Sequence, residues 1–181
     1  METRTLHVPG FAIGTAEDRK GLTGVTVILA PEGGAAAGVD VRGCAPGTRE
    51  TDLLSPEKTV QKIHAVVLSG GSAFGLESDC GVMNFLAEKG IGFPVGDVTV
   101  PIVCGAVLFD LSIGDPKAHP DLVMGYEAAS RASDTFPVGC YGAGTGASVG
   151  KLRGFDHAMK SGAGYAEFSL PSGLFVGAYM A

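Results

Sequence analysis

The sequence predicts an α/β protein folded as one domain. Glycine gives the first indication. The 29 glycines among 181 residues follow no collagen-like period and are interleaved with β-branched runs, so they mark tight turns and close backbone approaches. The second indication is a set of short apolar runs that stop at turn residues, as buried strands do. The third is one stretch, Ser72 to Lys89, whose apolar residues recur at helical spacing. A composition of 45% hydrophobic and 18% charged residues suits a globular chain with a core of its own.

Taken in order, LTGVTVILAPEGGAAAGVDVRG predicts two strands, Leu22–Leu29 and Ala36–Arg42, joined through Pro31, Gly33 and Gly34. Val25, Val27 and Leu29 alternate with Thr26 and Ile28, which suits a strand covered on both faces. CAPGTRETDLLSPEKTV is a charged, turn-rich loop, and KIHAVVLSGG is a short buried strand that stops at Gly70 and Gly71. Ser72 is placed as the N-cap of the first helix, with Ala73, Leu76, Cys80, Met83 and Ala87 on its buried face and Gly90 ending it. VPIVCGAVLFDLSIG is apolar and β-rich and leads into the proline-bearing loop GDPKAHPD. A second helix is expected over Asp121 to Ala132, and SDTFPVGCY is a poor strand. AGYAEFSLPSGLFVGAYM is a hairpin whose strands meet at Leu170–Gly173. Its last strand runs apolar to Ala181 with no cap or polar tail. Domains usually finish in polar surface residues, so the chain reads as cut off.

The composition excludes several classes. A net charge of -6 with scattered basic residues argues against nucleic acid and anionic membrane surfaces as partners. No run approaches the ~18 apolar residues of a membrane span, and ETRTLHVPGF after Met1 has no apolar signal-peptide core. Cys44, Cys80, Cys104 and Cys140 form no C-x-x-C pair and read as small buried thiols of a reducing cytoplasm. His7, His64, His119 and His157 have no metal-ligand spacing, and no cofactor is expected.

GAGTGASVGKLRG, Gly142 to Gly154, imitates a phosphate loop but fails its tests. The residue five before Gly150 is Thr145 rather than glycine, and Leu152 stands where a magnesium-binding hydroxyl belongs. The dinucleotide fingerprint needs a strand before its glycines and a helix after them, and neither is expected here. Glu167 lies at about the right distance for a ribose carboxylate, but inside a hairpin rather than a βαβ crossover. The glycines instead suit a backbone that passes close to a substrate or a neighbouring strand. Lys151 there either holds a carboxylate, orients a nucleophile, or is a solvated surface lysine.

Other chemistry is thinner. Arg49, Glu50 and Asp52 suggest a loop salt bridge, and His64 reads as a core or sub-surface histidine. SGGSAFG resembles a nucleophile elbow only loosely, since G-x-S-x-G would need glycine where Phe74 stands.

LTGVTVIL, AAAGVDVRGCAPGTRETDLL, HAVVLSGGSAFGLE, GVMNFLAEKGIGFPVG, VPIVCGAVLFDL and GAGTGASVGKLRG together resemble one family. It is the DmpA-like L-aminopeptidase/D-esterase family, which includes β-peptidyl aminopeptidases and nylon-oligomer hydrolases. The resemblance runs from about Leu22 to the last residue. It implies an αββα sandwich of the self-processing N-terminal-nucleophile type, incomplete in this chain. In such a protein the precursor cuts itself, and the new N-terminal Ser or Thr attacks amide or ester bonds with its own α-amine, of pKa about 8, as base.

Carried onto this sequence, the resemblance makes Lys151 a catalytic residue beside the nucleophile. It assigns substrate binding to Phe109, Asp110, Gly70, Gly71, Ser72 and Gly144. Phe109 stands where some relatives have a tyrosine, and a phenyl ring donates no hydrogen bond. Val107 stands where the aminopeptidase branch has a glutamate for the substrate's free amine, so exopeptidase selectivity is not expected to transfer. The family's oxyanion asparagine, cleavage junction and nucleophile would all lie past Ala181.

Residues 1–181 are therefore expected to be a single domain, the N-terminal, α-subunit portion of a longer precursor. Alone it is expected to be inactive and to expose an apolar sheet edge. The expected partners are a small peptide or amide substrate, the C-terminal (β) part of the same precursor, and further copies in a cytoplasmic homo-oligomer. The alternatives are a non-catalytic binding or assembly module on the same scaffold and an acyltransferase of a related self-cleaving fold.

Overall fold

A computed structural model describes residues Met1–Ala181. The strands in chain order are β1 (Thr3–Thr5), β2 (Ala12–Asp18), β3 (Thr23–Leu29), β4 (Thr48–Arg49), β5 (Ala65–Ser69), β6 (Phe93–Val95), β7 (Val98–Val100), β8 (Val103–Val107), β9 (Thr135–Pro137), β10 (Ser148–Val149), β11 (Met159–Lys160), β12 (Gly164–Ser169) and β13 (Phe175–Met180). The two helices are α1 (Ser78–Glu88) and α2 (Leu122–Ser130).

The centre is a five-stranded sheet in the order β2-β3-β5-β8-β4. All its pairs are antiparallel except β5 with β8, which run parallel and are joined through α1. The alternation in β3 sends Val25 and Val27 to one face, where they meet Ala16, Ala65, Val67 and Val103 under Val82, Leu86, Ala128 and Ala129 of the helices. The opposite face carries Ile13 and Ile28, and the β12–β13 hairpin lies over them with Tyr165 and Tyr179 beside Leu6, Phe136 and Val138. Tyr179 Oη and Thr26 Oγ1 are 3.0 Å apart, joining the hairpin to the sheet. The β5–β8 half of that face is covered by Leu53, Leu54 and Val60 around Ile63, Ile102 and Cys104. The layers are thus helices, sheet, then a two-stranded sheet without helices of its own.

Several expectations change. Ala36–Arg42 is not a strand: only Ala35 bridges to Ile63, and the residues after it are exposed. Its two large apolar residues, Val39 and Val41, are both exposed, so the segment has no buried face. β2 pairs along β3 although its residues AIGTAED carry little β-branched signal. TFP within the expected poor strand pairs with β1.

The first helix begins later than Ser72. Residues Ser72–Glu77 form a 3-10 turn, and Ser72 itself has φ +52°, outside any N-cap geometry. The buried residues of α1 are Ser78, Asp79, Gly81, Val82 and Leu86, while Ala73 and Ala87 are exposed. α2 is capped by Asp121, whose side chain accepts from Met124 N–H at 2.9 Å. Arg49 makes no loop salt bridge; its guanidinium donates to Cys80 Sγ and Met83 Sδ. Only Cys104 of the four free cysteines is buried, and Cys44 and Cys140 are exposed.

Candidate functional site

β5 and β8 run parallel, so their carboxyl ends lie side by side, the usual place for a site in an α/β sheet. The chain leaves β5 through Gly70, Gly71 and Ser72 and leaves β8 through Leu108, Phe109 and Asp110. These two exits are stitched together, Leu108 N–H donating to Ser69 O at 2.7 Å and Ser72 N–H to Leu108 O at 2.9 Å. Gly71 and Ser72 both have positive φ, +77° and +52°. For serine that conformation is strained and needs support from its surroundings.

The support is Asp110, whose residue exposure is only 3%. Its Oδ1 accepts from Gly71 N–H at 2.6 Å, and its Oδ2 accepts from the buried Thr23 hydroxyl at 2.8 Å. The carboxylate is walled by glycines: a Cβ on Gly70 would lie 2.1 Å from Asp110 Oδ2, and one on Gly146 would lie 2.4 Å from it. These glycines are a packing requirement set by the Asp110 carboxylate together with the Thr23 hydroxyl and the Leu22 carbonyl.

The glycine-rich segment behaves similarly. Gly142–Thr145 form a buried 3-10 turn against the sheet, with Ala143 N–H donating to Thr26 Oγ1 at 3.1 Å. Gly144 is buried within that turn, where a Cβ would meet Ala163 N at 2.2 Å. Its carbonyl takes a hydrogen bond from Lys160 Nζ, which also donates to Ala147 O and Ser161 O. Lys160 was not singled out in the sequence, because its acceptors are main-chain atoms that leave no trace in residue type. No phosphate cradle forms here.

Lys151 sits on the loop between β10 and β11, just after Gly150 at φ +80°. It is half-buried, and its ammonium has no hydrogen-bond or ion-pair partner. Phe155 on the same loop meets Phe109 at 6.1 Å between ring centroids. Both rings are about half exposed, at 56% and 51%. The contact brings the Lys151 loop beside the exit of β8. Phe74, on the 3-10 turn after Ser72, is exposed and stacks on His119 at 5.0 Å.

Two features lie apart from this constellation. A cavity of about 360 Å³ is lined by mostly apolar residues including Leu6, Phe11, Ile28, Tyr165, Val176 and Tyr179. It offers no charged group to acyl chemistry. Asp79 is 1% exposed against Gly105 of β8, its Oδ2 has no partner, and burial pushes its pKa up to about 7 against the opposing pull of Arg49. His64 is buried as expected, accepting from Ile102 N–H at 3.1 Å, and its pKa is lowered by burial. No group of His, Cys, Asp or Glu side chains is arranged to hold a metal ion.

The profile of Peptidase family S58 matches residues 5–178. The chain belongs to this family. It is 47% identical over 163 residues to an uncharacterized aminopeptidase of Mycobacterium leprae, covering 86% of this chain and 43% of that protein. It is 37% identical over 152 residues to the 6-aminohexanoate-oligomer endohydrolase of a Kocuria species, covering 83% of this chain and 40% of the relative. The chain thus spans less than half the length of these curated relatives.

Among solved structures, the L-aminopeptidase D-Ala-esterase/amidase of Ochrobactrum anthropi, a variant of the Ntn-hydrolase fold, superposes with a TM-score of 0.68 at 18% identity. That match covers 91% of this chain and 48% of the other. The chain therefore has the α/β architecture of the Ntn-hydrolase aminopeptidases, and its relatives are peptidases and amide hydrolases. No helix is long and apolar enough to cross a membrane.

Proposed function

We propose that residues 1–181 are the α-subunit portion of a self-cleaving amidase or aminopeptidase. The nucleophile would be the N-terminal Ser or Thr of a β-portion encoded further along the precursor. The observation that carries this reading is the family match over 5–178 by a chain that covers only 43% of its M. leprae relative. The two-stranded β12–β13 layer, with Phe168, Val176 and Met180 exposed, supports it as a surface that further strands would cover.

In this reading Lys151 is the catalytic cation beside the nucleophile, and its unpaired ammonium at the end of a loop suits that role. The Gly70–Ser72 turn and Phe109 form the substrate-facing wall, with Gly144 behind it. Phe109 and Phe155 offer an apolar platform suited to an aliphatic acyl or aminoacyl group. The Kocuria relative's name makes an aminohexanoyl amide the first substrate to try. Four free thiols, two of them exposed, suit a reducing cytoplasm. A homo-oligomer is the expected assembly.

The test is to express the whole precursor and determine the mass and N-termini of the product. Two chains are expected, the second beginning with Ser or Thr, with hydrolysis of aminohexanoate oligomers or aminoacyl anilides. Lys151→Ala is expected to slow both self-cleavage and turnover by about 10²-fold or more, the size of losing one positioned catalytic group. A single uncut chain without amidase activity overturns the reading. Near-wild-type rates in Lys151→Ala remove that residue's role alone.

A further inference from the structure

Asp110 stands out among the groups at the carboxyl ends of the parallel strands because it is buried and each of its oxygens accepts a hydrogen bond from the protein. Oδ1 is taken by Gly71 N–H and Oδ2 by the Thr23 hydroxyl. The residue is 3% exposed, and Gly70 and Gly146 leave no room for a Cβ against it. Burial and the close-packed glycines keep this carboxylate out of reach of a substrate. It is instead the meeting point of four segments: the start of β3, the exit of β5, the exit of β8 and the glycine-rich segment.

The backbone agrees. Only three non-glycine residues have positive φ, and two of them, Leu22 at +56° and Ser72 at +52°, border this carboxylate. Leu22 precedes Thr23 and offers its carbonyl 2.4 Å from where a Gly146 Cβ would lie. Gly71 is closed from its other side too, since a Cβ there would meet His119 Cβ at 2.6 Å and Pro120 Cδ at 3.0 Å. Strained residues persist only where their surroundings fix them, and they gather where geometry matters.

We propose that Asp110 is a positioning residue that never touches substrate. Its carboxylate, shared between Thr23 and Gly71, locks the Gly71–Ser72 turn and sets the distance between that turn and the glycine-rich segment leading to Lys151. This rests on the amidase reading and deepens it by assigning one residue a role. Substrate is held by what the turn presents, and the side chain of Asp110 holds the turn.

The experiment uses the whole precursor with Asp110→Asn, Thr23→Val and Thr23→Ser, reading thermal midpoint, self-cleavage rate, and kcat and KM for one amide substrate. Asp110→Asn and Thr23→Val are each expected to lower kcat and self-cleavage by about 10-fold or more while KM moves less than about 3-fold, the split expected of geometry felt in the transition state. Thr23→Ser keeps the hydroxyl and is expected to recover most of the rate. If Asp110→Asn does not fold, the Thr23→Val and Thr23→Ser pair reads the same carboxylate oxygen. A rise in KM at unchanged kcat makes Asp110 a substrate ligand and overturns the proposal. Unchanged kcat with only a lowered thermal midpoint makes it a packing residue and also overturns it. A wild-type precursor without cleavage or amidase activity overturns the amidase reading, and the role of Asp110 with it, and is distinguished by that control.

Discussion

Asp79 is a residue whose chemistry departs far from its ordinary behaviour. It lies in the first turn of α1, where the helix dipole favours a negative charge, yet burial against Gly105 dominates and its carboxyl titrates at about 7 instead of 3.8. Arg49 pulls the other way, but its guanidinium is committed to Cys80 and Met83. A folded-state pKa above the unfolded value means the native protein holds a proton that the unfolded chain has released. Stability from this group is therefore complete below the unfolded pKa and is lost as pH rises from about 4 through about 7. Urea midpoints are expected to fall between about pH 5 and about pH 8 in the wild type, and Asp79→Asn is expected to abolish most of that fall. The stability lost across that pH window should be greater in the wild type than in Asp79→Asn by on the order of 2 kcal/mol. Parallel slopes would show that Asp79 is solvated or paired in the native protein.

At the level of elements, the backbones of α1 and α2 meet at two glycines, and Phe85 and Tyr126 complete the contact edge to face at 5.6 Å. A Cβ on Gly81 would lie 1.9 Å from Leu122 O, and one on Gly125 would lie 1.9 Å from Ser78 O, so the two helix backbones touch. Gly→Ala inside a helix normally stabilises by roughly 0.5–1 kcal/mol. Here it forces apart two backbones, and overpacking costs about 1–3 kcal/mol. The second effect wins, so Gly81→Ala and Gly125→Ala are each expected to lower the denaturation midpoint. Gly90→Ala, at φ +68° with nothing near its Cβ position, is the comparison: its cost is backbone strain alone, on the order of 1 kcal/mol.

The same glycines explain what the sequence left hidden. Apolar residues at helical spacing point to Ala73, Leu76, Cys80, Met83 and Ala87 as the buried face. The face that packs runs through Ser78, Gly81, Val82 and Leu86, because Ser78 and Gly81 are where the α2 backbone approaches, and small polar or glycine residues carry no apolar signal. β3, β5 and the β12–β13 hairpin were legible because alternation and an obvious turn both mark them. β2 was not, because its glycine and alanines are placed to let α2 and the glycine-rich turn approach. At the site, the motifs around Gly70, Phe109 and Lys151 were visible as residue types. The tie from Asp110 to Thr23 was not, because its partners are 87 positions apart.

The whole molecule has three layers, and the third is unlike the others. In the β12–β13 hairpin, Tyr165, Glu167, Phe175 and Tyr179 turn partly inward, while Ala166, Phe168, Val176, Ala178 and Met180 are exposed on the outer face. Phe168 pairs with Val176 across the strands, and they are 64% and 54% exposed. A sheet with one face for water alternates apolar with polar residues, whereas here the outer face carries Phe168, Val176 and Met180, an apolar face that needs cover of its own. Two strands alone are also a marginal sheet. Leu152 and Phe155 extend exposed apolar surface on the Lys151 loop. Contiguous surface of this kind marks an interface or an aggregation liability. Residues 1–181 prepared alone are therefore expected to bind a hydrophobic dye strongly and to self-associate with rising concentration. The same residues within the cleaved full-length product should do neither. Replacing Phe168 and Val176 with lysine should reduce both signals in the isolated chain while leaving the helix-covered core and its thermal midpoint within a few degrees. It should also weaken retention of the β-portion in the cleaved product, because the same face would be covered by it. A monodisperse, dye-silent isolated chain would mean that the hairpin is sufficiently covered as it stands, and the two-part reading of this protein would lose its structural support.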